Sequence, residues 1–183
     1  MSLLTDRTVF QNAWVVDDVF AAAQRWVDFY GVGPFYVMEH LDLANIKYRG
    51  NESTLDISVA LAQAGPVQIE LIQQFNPEPS AYRDVVSEGQ TGYHHFCIWT
   101  HDFDADQKAF EDAGYPTATQ GASPDGSVRF AYYDTRALCG VMTEVVNPGE
   151  GLVARNDMIK QVAADWDGKD PIRITTEEGY RVP

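Results

Sequence analysis

The chain is short of positive charge and of cysteine, and it has no long apolar run. Its 183 residues carry 13 Lys and Arg against 27 Asp and Glu, a net charge of −14. Nucleic-acid binding needs clustered basic side chains to neutralise phosphates, so scattered Lys and Arg exclude that class. The same field works against strongly anionic ligands unless a local basic pocket opposes it. The two cysteines, Cys97 and Cys139, have no second Cys at metal-ligand spacing and are expected as reduced thiols. No stretch approaches the roughly 18 consecutive apolar residues of a membrane span. The opening MSLLTDRTVF lacks the basic segment and apolar run of a secretion signal. A cytoplasmic protein with neither a membrane nor a nucleic-acid partner is therefore expected. The 45% hydrophobic and 22% charged residues are ordinary for a globular chain, and the length suits one domain or two small modules sharing a core.

A pattern occurs twice along the chain. FQNAWVV, residues 10–16, has the length and apolar content of a strand; Asp17 and Asp18 follow as helix N-cap candidates. Residues 19–30 place Val19, Phe20, Ala23, Trp26, Val27 and Tyr30 on one helical stripe, which Gly31, Gly33 and Pro34 end. YHHFCIWT, residues 93–100, repeats the strand, Asp102 the cap, FDADQKAFEDA the helix, and Gly114 with Pro116 the stop. His95 lies 84 residues after Gln11, and Asp102 lies 84 after Asp18. Such a shared offset is the mark of an internal duplication. Strand-like segments follow in each half: FYVMEHL, STLDISVALA and PVQIELIQQF in the first, SVRFAYYDT and CGVMTEVVN in the second. Each half reads β-α-β-β-β. The expected organisation is a first module over 1–76, a linker over 77–92 with a helical turn or two, a second module over 93–148, and an extension over 149–183. The extension reads as a helix over 152–166 and a polar, extended tail lying on its own body or on a partner subunit. Loops are expected at 40–53 and 119–128.

Side chains alternate between the two faces of a strand, so residues of one parity point together. With Gln11 inward, Ala13 and Val15 share its face while Phe10, Asn12 and Trp14 face away. Glu70 shares a face with Gln68 and Ile72, opposite the apolar Val67, Ile69 and Leu71. His95 goes with Tyr93, Cys97 and Trp99, and Glu144 with Met142 and Val146. Four strands thus each carry one metal-capable side chain in mid-strand, where a bare charge is costly to bury without a partner. Gln11, Glu70, His95 and Glu144 are the candidate ligands. His94 is expected to face the helix layer or a loop in a structural role, and His40 and His101 to be solvated. Trp99, Cys97 and Met142 are expected to line a partly apolar pocket.

QNAWVVDD, VQIELIQ, GYHHFCIWTHDFDA and CGVMTEVV resemble the four metal-bearing strands of the vicinal oxygen chelate superfamily, which includes glyoxalase I, methylmalonyl-CoA epimerase and the extradiol dioxygenases. The resemblance spans about residues 8–148. It implies an α+β fold in which two βαβββ modules form a cleft of curved mixed sheet with helices on the outer face, here with a C-terminal helical extension. GYHHFCIWTHDFDA is similar to the G-x-H-H stretch of the epimerases, whose second histidine falls on His95. The family's second ligand falls on Glu70 and its C-terminal glutamate on Glu144. At the first position epimerases usually have His; this chain has Gln11, as some glyoxalase I enzymes do. The resemblance implies Glu144 as the first candidate base, Glu70 as its symmetry-related second, and Glu39 as a counterpart of a non-ligand catalytic glutamate.

Three oxygen donors and one nitrogen form a hard site suited to octahedral Zn²⁺, Co²⁺, Ni²⁺ or Mn²⁺. Iron-dependent ring cleavage uses two histidines and one carboxylate, which ranks an extradiol dioxygenase low. The favoured chemistry is proton abstraction next to a carbonyl, the metal acting as Lewis acid on the enolate or enediolate, in an isomerase, epimerase or lyase. The substrate expected is a small carbonyl compound, an acyl-CoA or thiol adduct among the options. A sequestering protein of the bleomycin-resistance type is the alternative, although such members generally lack the four ligands. A homodimer is the expected assembly.

Overall fold

The protein is described from a computed structural model covering residues 4–5 and 7–183; residues 1–3 and 6, which open the first expected module, lie outside the described residues. The first half contains β1 (Val9–Val15), α1 (Val19–Tyr30), β2 (Phe35–Met38), the hairpin β3 (Ala44–Tyr48) and β4 (Asn51–Glu52), β5 (Ile57–Ala64) and β6 (Val67–Gln74). A short helix, α2 (Ala81–Val85), lies between the halves. The second half contains β7 (Gly92–Trp99), α3 (Phe103–Asp112), β8 (Thr117–Ala122), β9 (Arg129–Tyr133), α4 (Arg136–Cys139) and β10 (Met142–Val146). Helix α5 (Glu150–Ala164) and a hairpin of β11 (Ile172–Thr176) and β12 (Gly179–Arg181) complete the chain.

The repeated strand-cap-helix pattern forms as the side chains dictate. The Asp18 carboxylate accepts from the Ala21 amide at 2.9 Å, and that of Asp102 from the Ala105 amide at 3.1 Å. Each satisfies an amide that has no partner within the first helical turn. Gly31 ends α1 in the left-handed conformation at φ 67°, open to glycine at little cost, and returns its amide to Val27.

The twelve strands of the described residues form one mixed sheet in the order β12-β11-β2-β5-β6-β1-β7-β10-β9-β8-β3-β4. The seam between the halves is the antiparallel pair β1–β7, flanked by the parallel pairs β1–β6 and β7–β10. The curved sheet carries α1 and α3 on its outer face. Val19, Ala22 and Ala23 of α1 pack on Ile69 and Leu71, and Phe103 and Phe110 of α3 pack on Ile98, Ala131 and Val145. The other face buries Ala13, Val15, Ile57, Val59, Cys97 and Met142, with Tyr82 of α2. Helix α5 rests on this inner side against β5.

Four expectations are revised. Where FYVMEHL was expected to run as one strand, β2 stops at Met38, because His40 takes a positive φ of 45° that an extended strand does not tolerate. The segment expected as a loop over 40–53 holds the β3–β4 hairpin. It leaves its own half to pair with β8, with Ala44 opposite Ala122 and Lys47 opposite Gln120. The segment expected as a loop from 119 is strand β8 as far as Ala122. Gly121 leaves room there for its neighbours: a Cβ would meet Ile46 Cδ1 at 2.5 Å and Phe130 Cζ at 2.7 Å, so that one of them would have to move. The polar tail is not merely laid on the surface: β11 adds to β2 in parallel, burying Ile172 and Ile174 in the α1-side core.

Candidate functional site

Strands β6, β1, β7 and β10 lie side by side at the centre of the sheet and present their inner faces to one cavity of about 510 Å³. In β6 the alternation holds: Ile69 and Leu71 enter the α1-side core while Gln68 and Glu70 line the cavity. Glu144 and Val146 of β10 line it too. The structure brings Glu70, His95 and Glu144 together, with one potential ligand atom from each lying within 4.8 Å of the others. His95 Nε2 stands 3.0 Å from Glu144 Oε2 and 3.4 Å from Glu70 Oε2. At 3.0 Å a hydrogen bond is expected by distance, yet the buried His95 Nε2 and Glu70 Oε2 have no partner in hydrogen-bond geometry among the described residues. Two carboxylates and an imidazole nitrogen thus converge on a common space as close ion-pair neighbours without aligned hydrogen bonds between them. Orphaned buried polar atoms of this type fit a divalent cation, whose charge the two carboxylates cancel.

A chain of donors sets the direction of His95. The Ala81 carbonyl can only accept, so His94 Nε2, 2.8 Å away, carries the proton. Burial holds His94 neutral by drawing its pKa well below the usual histidine value, and the neighbouring His95 adds to this. His94 Nδ1 therefore accepts from His95 Nδ1–H at 2.7 Å, which aims Nε2 of His95 at the two carboxylates. The rings of Tyr82 and Tyr132 pack against the two histidines, their hydroxyls 2.9 Å apart. Burial works to lower the His95 pKa, but the Glu144 and Glu70 carboxylates overcome it and hold it up to about 9. Burial pushes the Glu70 carboxyl upward, with the Glu144 charge in the same direction and His95 opposing.

Gln11 lines the same cavity. Its side-chain amide donates to Gln68 Oε1 at 2.8 Å, and Gln68 in turn donates to Asn156 of α5 at 3.2 Å. With its nitrogen held this way, the Gln11 carbonyl oxygen is the atom left for the cavity. Glu39 is not brought to the cluster; it lies beyond the end of β2 and accepts from Arg181 of the tail at 2.8 Å. Of the three expected pocket residues only Cys97 lines the cavity, its thiol pushed up by burial and by Glu144. Met142 is fully buried in the core beneath, and Trp99 stacks on Phe10, centroids 4.0 Å apart, so that Phe10 is the ring presented to the cavity.

Two register shifts in the β1–β7 pair decide which side chains of these two strands face the cavity. One lies between Val9 and Gln11 and turns Phe10 inward; the other, opposite Ala13 and Trp14, sets His94 as the extra residue. The second also breaks the expected parity of Tyr93, which packs on Trp14 and donates to Asn12 on the side away from His95. Sequence reasoning missed Arg155 and Asn156, which reach the cavity from α5. Leu152, Arg155, Asn156 and Ile159 follow the i, i+3, i+4, i+7 spacing of a buried stripe, and two polar residues on such a stripe are the signal that was present.

The family profile of the Glyoxalase/Bleomycin resistance protein/Dioxygenase superfamily matches residues 10–132. No curated protein matches the chain in sequence. Among solved structures, a methylmalonyl-CoA epimerase from Mycobacterium tuberculosis is similar at 18% identity and TM-score 0.53, covering 84% of this chain and 95% of that one. A Streptomyces coelicolor methylmalonyl-CoA epimerase variant in complex with 2-nitronate-propionyl-CoA is similar at 17% identity and TM-score 0.52, covering 76% and 93%. A methylmalonyl-CoA epimerase in complex with methylmalonyl-CoA and NH4+ is similar at 16% identity and TM-score 0.52, covering 77% and 94%. At these identities the likeness is one of fold.

Proposed function

Because the chain belongs to the glyoxalase/bleomycin resistance protein/dioxygenase superfamily, we propose that it is a metal-dependent isomerase, epimerase or lyase that removes a proton next to a carbonyl. The observation that carries this reading is the convergence of Glu70, His95 and Glu144 with buried atoms left unsatisfied. These three, with the Gln11 carbonyl, would hold one divalent ion. When bound, that ion supplies Lewis acidity that makes the carbon next to a carbonyl more acidic.

The side chains do the rest. His94 keeps the lone pair of His95 Nε2 directed at the cluster. The Gln68 carbonyl holds the Gln11 amide in place. Ile57, Val59, Leu61 and Phe130 give the cavity apolar walls that exclude water and strengthen charge interactions inside it. Glu144 and Glu70 face the cavity from opposite halves, so one takes the substrate proton and the other stands ready to return one. Burial and the neighbouring Glu144 charge raise the Glu70 pKa above the usual carboxylate value.

Two measurements test the reading. The purified protein is expected to hold close to one divalent ion per chain by elemental analysis. In D₂O it is expected to wash deuterium into the carbon next to the carbonyl of an acyl-CoA or a hemithioacetal. Metal without exchange on any such compound would support sequestration of a ligand instead, and absence of metal binding would remove both the centre and the chemistry built on it.

A further inference from the structure

The cavity beside the candidate centre has mostly apolar walls and, among the described residues, a single cationic side chain, Arg155 of α5. Its situation differs from that of every other arginine. Six of those sit in ion pairs, and Arg83 and Arg173 donate to backbone or tyrosine oxygens. Among the described residues, Arg155 donates only to the Met38 thioether, at 3.1 Å, and its Nε is buried without a partner. A thioether is a weak acceptor, and the half-buried guanidinium keeps one buried N–H with no anion to meet it, which is costly. Burial draws the Arg155 pKa down, and the nearest compensation is the negative field of Glu70 across the cavity. The side chain is also well positioned: the adjacent Asn156 is buried and bonded to Gln68, which fixes α5 to the strand that carries Glu70.

We infer that Arg155 anchors a carboxylate of the substrate, so that the molecule taken is a carbonyl compound bearing one carboxylate. A guanidinium presents a planar fork of donors that matches a carboxylate's two oxygens. With Glu70 and Glu144 committed to the divalent ion, Asp42 and Asp125 are the anionic side chains left in the lining, and they oppose a multiply charged phosphate. One cation in such a setting suits one carboxylate. The inference deepens the reading of the site as a proton-abstraction centre and rests on it for the carbonyl; the anchor itself is separately testable.

The test uses zinc-loaded full-length protein and two probes that differ in one charge, monoethyl malonate and diethyl malonate, titrated by calorimetry. The parent is expected to bind the monoester at least about tenfold more tightly than the diester, as loss of a charged hydrogen bond implies. Arg155→Met is expected to abolish that preference while leaving diester affinity within about twofold, and Arg155→Lys to restore part of it. Thermal unfolding of each variant shows whether it is folded. Equal affinity of the parent for the two probes, binding of neither, or an equal loss of both in Arg155→Met without recovery in Arg155→Lys overturns the anchor. Metal content and deuterium exchange are measured alongside. Should they fail while the Arg155-dependent preference persists, the anchor stands and the proposed chemistry falls.

Discussion

In the first half of the sheet Gln11 stands opposite Gln68 and Ala13 opposite Glu70; in the second, at the same spacing, His95 stands opposite Met142 and Cys97 opposite Glu144. The backbone frame is thus shared, and the residues that fill it are not. Gln68 takes hold of Gln11 by a hydrogen bond and passes the connection to Asn156 of α5. Met142 offers His95 no such partner, and the second half supports its histidine from His94, the extra residue of a bulge, and from the Ala81 carbonyl beyond it. The two half-sites are therefore braced from different directions, one through the C-terminal helix and the other through the segment that joins the halves.

The strongest way to break the comparison is to remove a ligand from each side. Glu70→Ala in the first half and His95→Ala or Glu144→Ala in the second are each expected to reduce metal affinity beyond the roughly 10–100-fold seen on loss of a supporting residue. Full metal content in Glu70→Ala beside loss in His95→Ala would place the centre in one half alone. Next in size are the helix-side cores: Leu71→Ala and Ile98→Ala, both at fully buried positions, should each lower stability by about 2–5 kcal/mol. In urea both variants should unfold in a single shared transition; two separated transitions would show that the halves fold independently.

The braces themselves come third. Gln68→Met, which copies the second half into the first, and His94→Phe, which removes the relay, should each weaken metal binding by roughly 10–100-fold without unfolding the protein. An unchanged affinity in either one identifies the brace that is dispensable. The smallest effect is one of pH on the metal-stripped protein. The folded pKa of His95 lies above its unfolded value, so the stability it contributes is fully present below about pH 6.5 and is lost as pH rises through about 9. Denaturation midpoints measured across that window should fall with pH. Glu144→Gln should flatten the trend, and a midpoint that rises with pH would contradict the assigned contacts.

Much of this was legible in the sequence because it is local. Asp18 and Asp102 announce helix starts, and Ile69 and Leu71 alternate with Gln68 and Glu70 over a full strand, so the side that Glu70 faces follows from its neighbours. The pairing of β3 with β8 was not legible: the strands are short, and although each also has a local partner, β4 for β3 and β9 for β8, the bond between them joins residues more than 70 positions apart, which no local pattern encodes. Parity failed at Phe10 and Tyr93 because a bulge costs one residue and leaves no compositional trace. Arg155 was hidden for a different reason. A polar residue on a helix normally marks the solvent face, and only the place of Leu152 and Ile159 on the same stripe contradicts that.

The excursion of β3 to the opposite edge of the sheet also bears on the width of the cavity. Between β2 and β8 the sheet order contains seven inter-strand steps, an arc of about 34 Å at the usual strand spacing. The chain from Met38 to Ala44 must run from one end of that arc to a strand beyond the other, and six residue steps reach at most about 20–22 Å when fully extended. The connection is thus a chord shorter than its arc, and the sheet must bow to meet it. The opening over the candidate centre is set by the length of a five-residue tie as well as by the packing of the strands beneath it.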